Sequence, residues 1–174
     1  SNLWIEGKRV AAVKNGLVRD AYEASERNIQ ESNWSVDFGK LIDFAGGEKS
    51  ELKAAYLYGS RPPPNDNIWK SAEARGFQVV VFDRNAWGKE KKVDARINVD
   101  ITKMIYKGII KPGDEITLVA GDADFVPVCI EAKQNNITFD VVFWGHAARE
   151  LRDECTNFFK LDDYWNHLSY RKAA

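Results

Sequence analysis

Two aspartates follow directly on an apolar run in the segment LVAGDADFVPV, residues 118–128. The run EITLVA is typical of a buried strand, so Asp122 and Asp124 come where a strand ends. Capping of the helix predicted to begin near Phe125 accounts for one of them, because aspartate is a good N-cap. The second aspartate is not explained by capping, and the pair therefore indicates a candidate site.

Two more carboxylates, Asp94 and Asp100, lie in the segment KKVDARINVDITKMIYKG. On a helix of 3.6 residues per turn, Asp94 continues the apolar stripe formed by Ile97, Ile101 and Ile105, while Asp100 lies on its flank. A carboxylate in such a stripe must be exposed at the rim or engaged with a partner, because burying it alone is costly. The alternative for both is a structural aspartate stabilised by the helix dipole.

Carboxylates that converge from separate elements repel one another unless a cation lies between them. Mg²⁺ or Mn²⁺ prefers such oxygen sites, and acidic metal sites of this kind hydrolyse phosphodiester bonds. Lys91 and Lys92 come just before Asp94 and are candidates for holding substrate phosphates. The sequence thus predicts a metal-dependent hydrolytic site, provided that Asp94, Asp122 and Asp124 meet in space.

The elements that must position these residues alternate along the chain. Apolar runs predict buried strands at 9–13, 52–58, 77–82, 115–120 and 138–144, and a short edge strand near FFKLDDYW. Helical stretches lie between them, including SVDFGKLIDFAGG, with Ser35 as its N-cap and Gly46 or Gly47 as its stop. This order predicts an α/β fold with a doubly wound, mostly parallel sheet flanked by helices on both faces. We expect one domain over residues 1–165 and a C-terminal docking segment or tail over 166–174.

Composition excludes several classes of protein. Lys and Arg total 25 against 26 for Asp and Glu, so the net charge of the chain does not indicate a protein that binds nucleic acid. No apolar stretch approaches the ~20 residues of a membrane helix, and we expect no membrane partner. The N-terminal residues lack the pattern of a signal peptide, and the two cysteines suggest neither a disulfide framework nor a zinc site. A cytoplasmic protein with two buried thiols is the expectation.

The pairing of K-x-V-D-x-x-x-x-x-D with G-D-x-D-F at this separation resembles the NYN-domain family, in the LabA-like branch of the PIN-like nucleases. The similarity spans nearly the whole chain and is strongest over residues 91–162. The resemblance implies a PIN-like fold, ribonuclease activity that depends on a divalent metal, and RNA as a partner. It also implies an acidic site at Asp94, Asp122 and Asp124, with Asp100 nearby.

The chain departs from the family at its N-terminal segment. The family's first strand usually ends in an aspartate that binds metal, whereas this chain reads AAVKNG, which puts Lys14, or Asn15 with a shift of one, in that place. A lysine there would oppose cation binding and substitute its ammonium for the metal. The alternatives are that Lys14 points to solvent while Asp20 or Asp100 completes the site, or that the substitution is an engineered one.

Two functions follow from these alternatives. The first is a ribonuclease that uses Mg²⁺ or Mn²⁺, in which Lys14, Asn15, Lys91, Lys92 and His146 are candidates for substrate contact. The second is a catalytically impaired domain that binds RNA or a protein, with metal binding lost because of Lys14. A phosphatase of the haloacid-dehalogenase type would need D-x-D-x-T after the first strand, which VKNGLV lacks. Some of the six tryptophans are also compatible with the interface of a homodimer.

Overall fold

The structure is a computed structural model that describes residues 2–48, 51–61, 67–83 and 92–171. Its α-helices are α1 (Asn2–Lys14), α2 (Ala21–Glu26), α3 (Phe38–Ala45), α4 (Asn67–Glu73), α5 (Lys92–Tyr106), α6 (Val126–Gln134), α7 (Arg149–Glu154) and α8 (Trp165–Leu168). Its strands are β1 (Trp34–Val36), β2 (Tyr56–Arg61), β3 (Gln78–Asp83), β4 (Glu115–Leu118), β5 (Thr138–Phe143), β6 (Asn157–Lys160) and β7 (Ser169–Arg171). Two 3-10 helices lie at Ala123–Phe125 and Leu161–Tyr164.

Backbone hydrogen bonds group the described strands into three sheets. β4, β5 and β6 form a parallel sheet with β5 in the middle, and β2 pairs with β3 in a second parallel sheet. β1 and β7 form a small antiparallel pair. The α/β class with parallel sheets is therefore confirmed, as is the edge strand β6. One continuous doubly wound sheet is not formed by the described strands, and that arrangement stays a prediction.

The predicted first strand at residues 9–13 is wrong, because these residues belong to helix α1. Val10 and Ala11 pack in the main core, whereas Ala12 packs in a second cluster with Val18 and Ala24. The run is therefore buried on two sides. The periodicity of such a short apolar run does not distinguish a strand from a buried helix. Alanine, which is the best helix former, favours the helix.

The boundaries of α3 correct one prediction and confirm another. Ser35 is not the N-cap, because it lies within β1 and pairs with Tyr170. The N-cap is Asp37, whose Oδ1 accepts hydrogen bonds from the backbone N–H groups of Gly39 and Lys40. The helix stops at Gly46, as predicted.

The main core lies around β5 and the helices beside it. Its largest fully buried side chains include Trp144, Phe125 and Phe139. Both cysteines are buried and free, as predicted. No helix in the described ranges has the length and apolar character needed to cross a membrane.

The C-terminal residues that the structure describes are packed on the domain. Leu168 is buried, and its carbonyl accepts a hydrogen bond from the backbone N–H of Asp37. Trp34 Nε1 donates to Ser169 Oγ at 2.7 Å, next to the pairing of β7 with β1.

Candidate metal centre

Helix α5 carries the first carboxylate of the site. Asp94 lies in its first turn and is half-buried. Ile101 and Ile105 are buried in the core and Ile97 packs against it, so the predicted apolar stripe is confirmed. Asp94 continues that stripe at the N-terminal end of the helix, which is the geometry that the sequence indicated.

The connection after β4 carries the other two carboxylates. Asp122 is the N-cap of the 3-10 helix, and its Oδ1 accepts a hydrogen bond from the backbone N–H of Asp124 at 3.1 Å. The structural alternative of a capping aspartate therefore applies to Asp122. Capping occupies one oxygen of that carboxylate, and it does not account for Asp124. Both side chains are exposed.

The three carboxylates converge, and we call them the carboxylate cluster. Asp94, Asp122 and Asp124 each offer a ligand oxygen, and these oxygens lie within 4.8 Å of one another. Neither Asp122 nor Asp124 is paired with a Lys or Arg side chain among the described residues. Three hard anionic oxygens at this separation fit Mg²⁺ or Mn²⁺ by the chemistry of their donors.

Close packing fixes the connection that carries Asp122. A Cβ atom on Gly121 would lie 2.1 Å from Cδ1 of Phe143, a buried ring at the end of β5. The carbonyl of Gly121 accepts a hydrogen bond of 2.8 Å from the backbone N–H of Ala148. The absence of a side chain at residue 121 thus lets the connection lie directly on β5.

Asn98 is a residue of the site that the sequence analysis missed. It lies one turn after Asp94 on α5, and its Nδ2 donates to the backbone carbonyl oxygen of Asp124 at 2.9 Å. The bond joins the helix that carries one carboxylate to the connection that carries the others. Sequence patterns gave no signal for it, because the two partners are 26 positions apart and the acceptor is a backbone atom.

Asp100 is not part of the carboxylate cluster. Its two oxygens accept hydrogen bonds from Nε of Arg96 at 2.8 and 2.7 Å, and Oδ2 also accepts from the hydroxyl of Tyr58 at 3.1 Å. Burial raises the pKa of Tyr58 above its ordinary value, and the bond to the Asp100 carboxylate raises it further. The contact between Tyr58 and Asp100 connects β2 to α5, so Asp100 has a structural role. A catalytic role for Asp100 stays a prediction.

Lys14 and Asn15 lie at the end of α1 and not at the end of a strand. Lys14 is exposed, and no ion pair joins it to the carboxylate cluster among the described residues. Asn15 Nδ2 donates to Glu31 at 2.9 Å. Of the alternatives for Lys14, the described residues therefore fit the one in which it points to solvent, and not the one in which its ammonium lies among the three aspartates.

His146 follows β5 and pairs with helix α1. Its Nε2 lies 2.8 Å from Oε2 of Glu6, which also pairs with Arg9. Burial opposes ionisation of Glu6, but the contacts with His146 and Arg9 outweigh it and hold the pKa of Glu6 below its ordinary value. His146 thus connects the segment after β5 to α1.

Two of the candidates for substrate contact cannot be placed: Lys91 and the side chain of Lys92 lie outside the described residues.

Comparisons with known proteins agree with this architecture. The family model described as NYN domain matches residues 3–162. A solved structure of a protein of unknown function from Vibrio parahaemolyticus is similar in fold, with a TM-score of 0.62 and 21% identity. That similarity covers 82% of this chain and 86% of the other. No curated protein matches the sequence.

Proposed function

Because the chain belongs to the NYN-domain family, we propose that it is a ribonuclease that hydrolyses phosphodiester bonds with Mg²⁺ or Mn²⁺ held at the carboxylate cluster. The observation that carries the proposal is the meeting of Asp94 with Asp122 and Asp124, whose ligand oxygens lie within 4.8 Å of one another. These residues come from a helix and from a connection that follows a strand. Assignment to the LabA-like branch is part of the proposal and rests on the motifs KKVDARINVD and GDADF.

The residues of the chain have separate tasks in this proposal. The cluster binds the cation, which supplies Lewis-acid stabilisation of the charge that develops on the phosphate and lowers the pKa of water. Asp122 also fixes the position of Asp124 through its cap. Lys91 and Lys92, which come just before Asp94 in the sequence, hold phosphates of the RNA in this proposal.

The remaining candidates for substrate contact are secondary parts of the proposal. Asn15 and His146 already have protein partners in Glu31 and Glu6, so either would have to exchange that partner for RNA. Lys14 is exposed at the end of α1 and offers a positive charge without such an exchange. Its role in the proposal is to contact phosphate.

Asp122→Asn tests the proposal with little change to the fold, because asparagine caps helices as well as aspartate does. We expect cleavage of labelled single-stranded RNA by the unaltered chain with Mn²⁺, and loss of cleavage on chelation. Asp122→Asn should lower the rate by on the order of 100-fold or more, since even outer contacts of metal ligands contribute about 10- to 100-fold.

Asp153→Asn is the matched control. Asp153 is exposed on α7, where it pairs with Arg149 outside the cluster, so the same chemical change there should leave cleavage within about twofold. Equal cleavage by Asp122→Asn and the unaltered chain would contradict the proposal, because the activity would then come from elsewhere.

A second function has one observation in its favour. The first strand of the structure, β1, is followed by Asp37, but this carboxylate caps α3 and pairs with Arg75, and it is not part of the cluster among the described residues, although the family's first strand usually supplies a metal ligand. A domain that binds RNA or a protein without cleaving RNA would fit that difference. The same assay separates the two functions: retention of RNA by the unaltered chain without any Mn²⁺-dependent product would favour the binding module.

A further inference from the structure

We infer that Asn98 is a positioning residue for the carboxylate cluster, an inference that rests on the proposed function. The hydrogen bond from its Nδ2 to the Asp124 carbonyl oxygen, 2.9 Å long, crosses from α5 to the connection after β4. Asp94 lies one turn before Asn98 on the same helix face. The two sides of the cluster are therefore joined by a direct bond close to the cluster itself.

The other atom of the same amide carries a cost in folding stability. Its Oδ1 is buried and accepts no hydrogen bond from the described residues. A buried acceptor without a partner lowers the free energy of unfolding, whereas leucine would fill a similar branched shape without that cost. Packing alone therefore does not explain an asparagine at this position.

The bond acts on the cluster through the backbone. A cation site needs its ligand oxygens held in place before the ion arrives, and neighbouring hydrogen bonds supply much of that order. The backbone of Asp124 is restrained on one side by the Asp122 cap and on the other by Asn98. Loss of the Asn98 bond would leave the distance between Asp94 and Asp124 less well defined.

Asn98→Leu tests the inference, with Asn135→Leu as the matched control. Asn135 also donates its amide to a backbone carbonyl, that of Glu131 at 2.8 Å, but at the far end of α6 from the cluster. Titration of the chain with Mn²⁺, followed by the electron paramagnetic resonance signal of the free ion, gives the affinity. We expect Asn98→Leu to weaken Mn²⁺ binding by about tenfold, the lower end of the effect of outer contacts, without a fall in melting temperature. Asn135→Leu should leave the affinity unchanged.

Hydrogen exchange of the metal-free chain separates the inference from the proposed function. Asn98→Leu should speed exchange of the backbone N–H groups of Asp124 and Phe125, both of which donate to Asp122, and not of those in β5. Unchanged Mn²⁺ affinity in Asn98→Leu would overturn the inference while leaving the proposed function in place. A failure of the unaltered chain to bind Mn²⁺ would overturn both, and faster exchange would then identify the bond as a structural contact only.

Discussion

Two tyrosines of this chain donate hydrogen bonds to carboxylates, and their surroundings differ. Tyr58 on β2 is half-buried and donates to Asp100, whose side chain is mostly covered. Tyr106, at the end of α5, is 70% exposed and donates to Glu131. A hydrogen bond to a charged group contributes more where water does not compete, so the two hydroxyls should not be equivalent.

Tyr58→Phe is therefore expected to lower the free energy of unfolding by about 1–2 kcal/mol, because the Asp100 carboxylate loses a donor at a site of limited exposure. Tyr106→Phe makes the same chemical change in water and should cost less than about 0.5 kcal/mol. Urea unfolding of both variants measures the difference. Equal stabilities would show that the Tyr58 hydroxyl does not connect β2 to α5 energetically.

At the scale of elements, the site depends on how closely the connection after β4 lies on β5. Gly121 has no room for a methyl group beside the buried ring of Phe143. The next residue in the chain is Asp122, so any displacement of residue 121 moves a carboxylate of the cluster. The close approach of these two elements is thus a condition for the geometry of the site.

Gly121→Ala should lower the free energy of unfolding by about 1–3 kcal/mol through overpacking, and it should weaken Mn²⁺ binding as well. Gly145→Ala is a suitable control, because the atom nearest to the added methyl group is Cε of the exposed, flexible Lys160 side chain, and the carboxylate oxygen of the partly buried Asp162 lies farther away, at 3.4 Å. Urea unfolding and Mn²⁺ titration provide the two measurements. A Gly121→Ala variant as stable as Gly145→Ala would contradict the packing argument.

At the scale of the whole molecule, the two end segments of the chain contact residues that are far away in the sequence. The C-terminal segment contacts β1 through the pairing of β7 with it, and its residue Leu168 is buried. At the other end of the chain, Leu3 of α1 packs against the main core, and its carbonyl accepts a hydrogen bond from Nε1 of Trp144. Both termini therefore contribute to the stability of the domain.

Leu168→Ala is expected to lower the free energy of unfolding by about 2–5 kcal/mol, the usual range for loss of a buried leucine side chain. Tyr170, two residues later, is 53% exposed, and Tyr170→Ala should change stability by less than about 1 kcal/mol. Thermal or urea unfolding compares the two. A small effect of Leu168→Ala would mean that the C-terminal segment is not part of the cooperative unit.

The sequence by itself determined the α/β class, the strands around β4 and β5, and the helix that places Asp94 on the line of Ile97, Ile101 and Ile105. Periodicity and strand ends are local properties, so they can be read without the fold. The convergence of Asp94 with Asp122 and Asp124 was, by contrast, a condition that the fold had to meet, and their ligand oxygens do lie within 4.8 Å of one another.

Only the tertiary structure decided that residues 9–13 are helical, which partners Asp100 has, and that Asn98 donates a hydrogen bond to Asp124. A short apolar run is compatible with either a strand or a helix, and the outcome depends on which surfaces it can bury. The partner of a polar side chain is likewise set by what the folded chain brings within hydrogen-bond distance. Such contacts depend on residues distant in sequence, and local patterns carry no information about them.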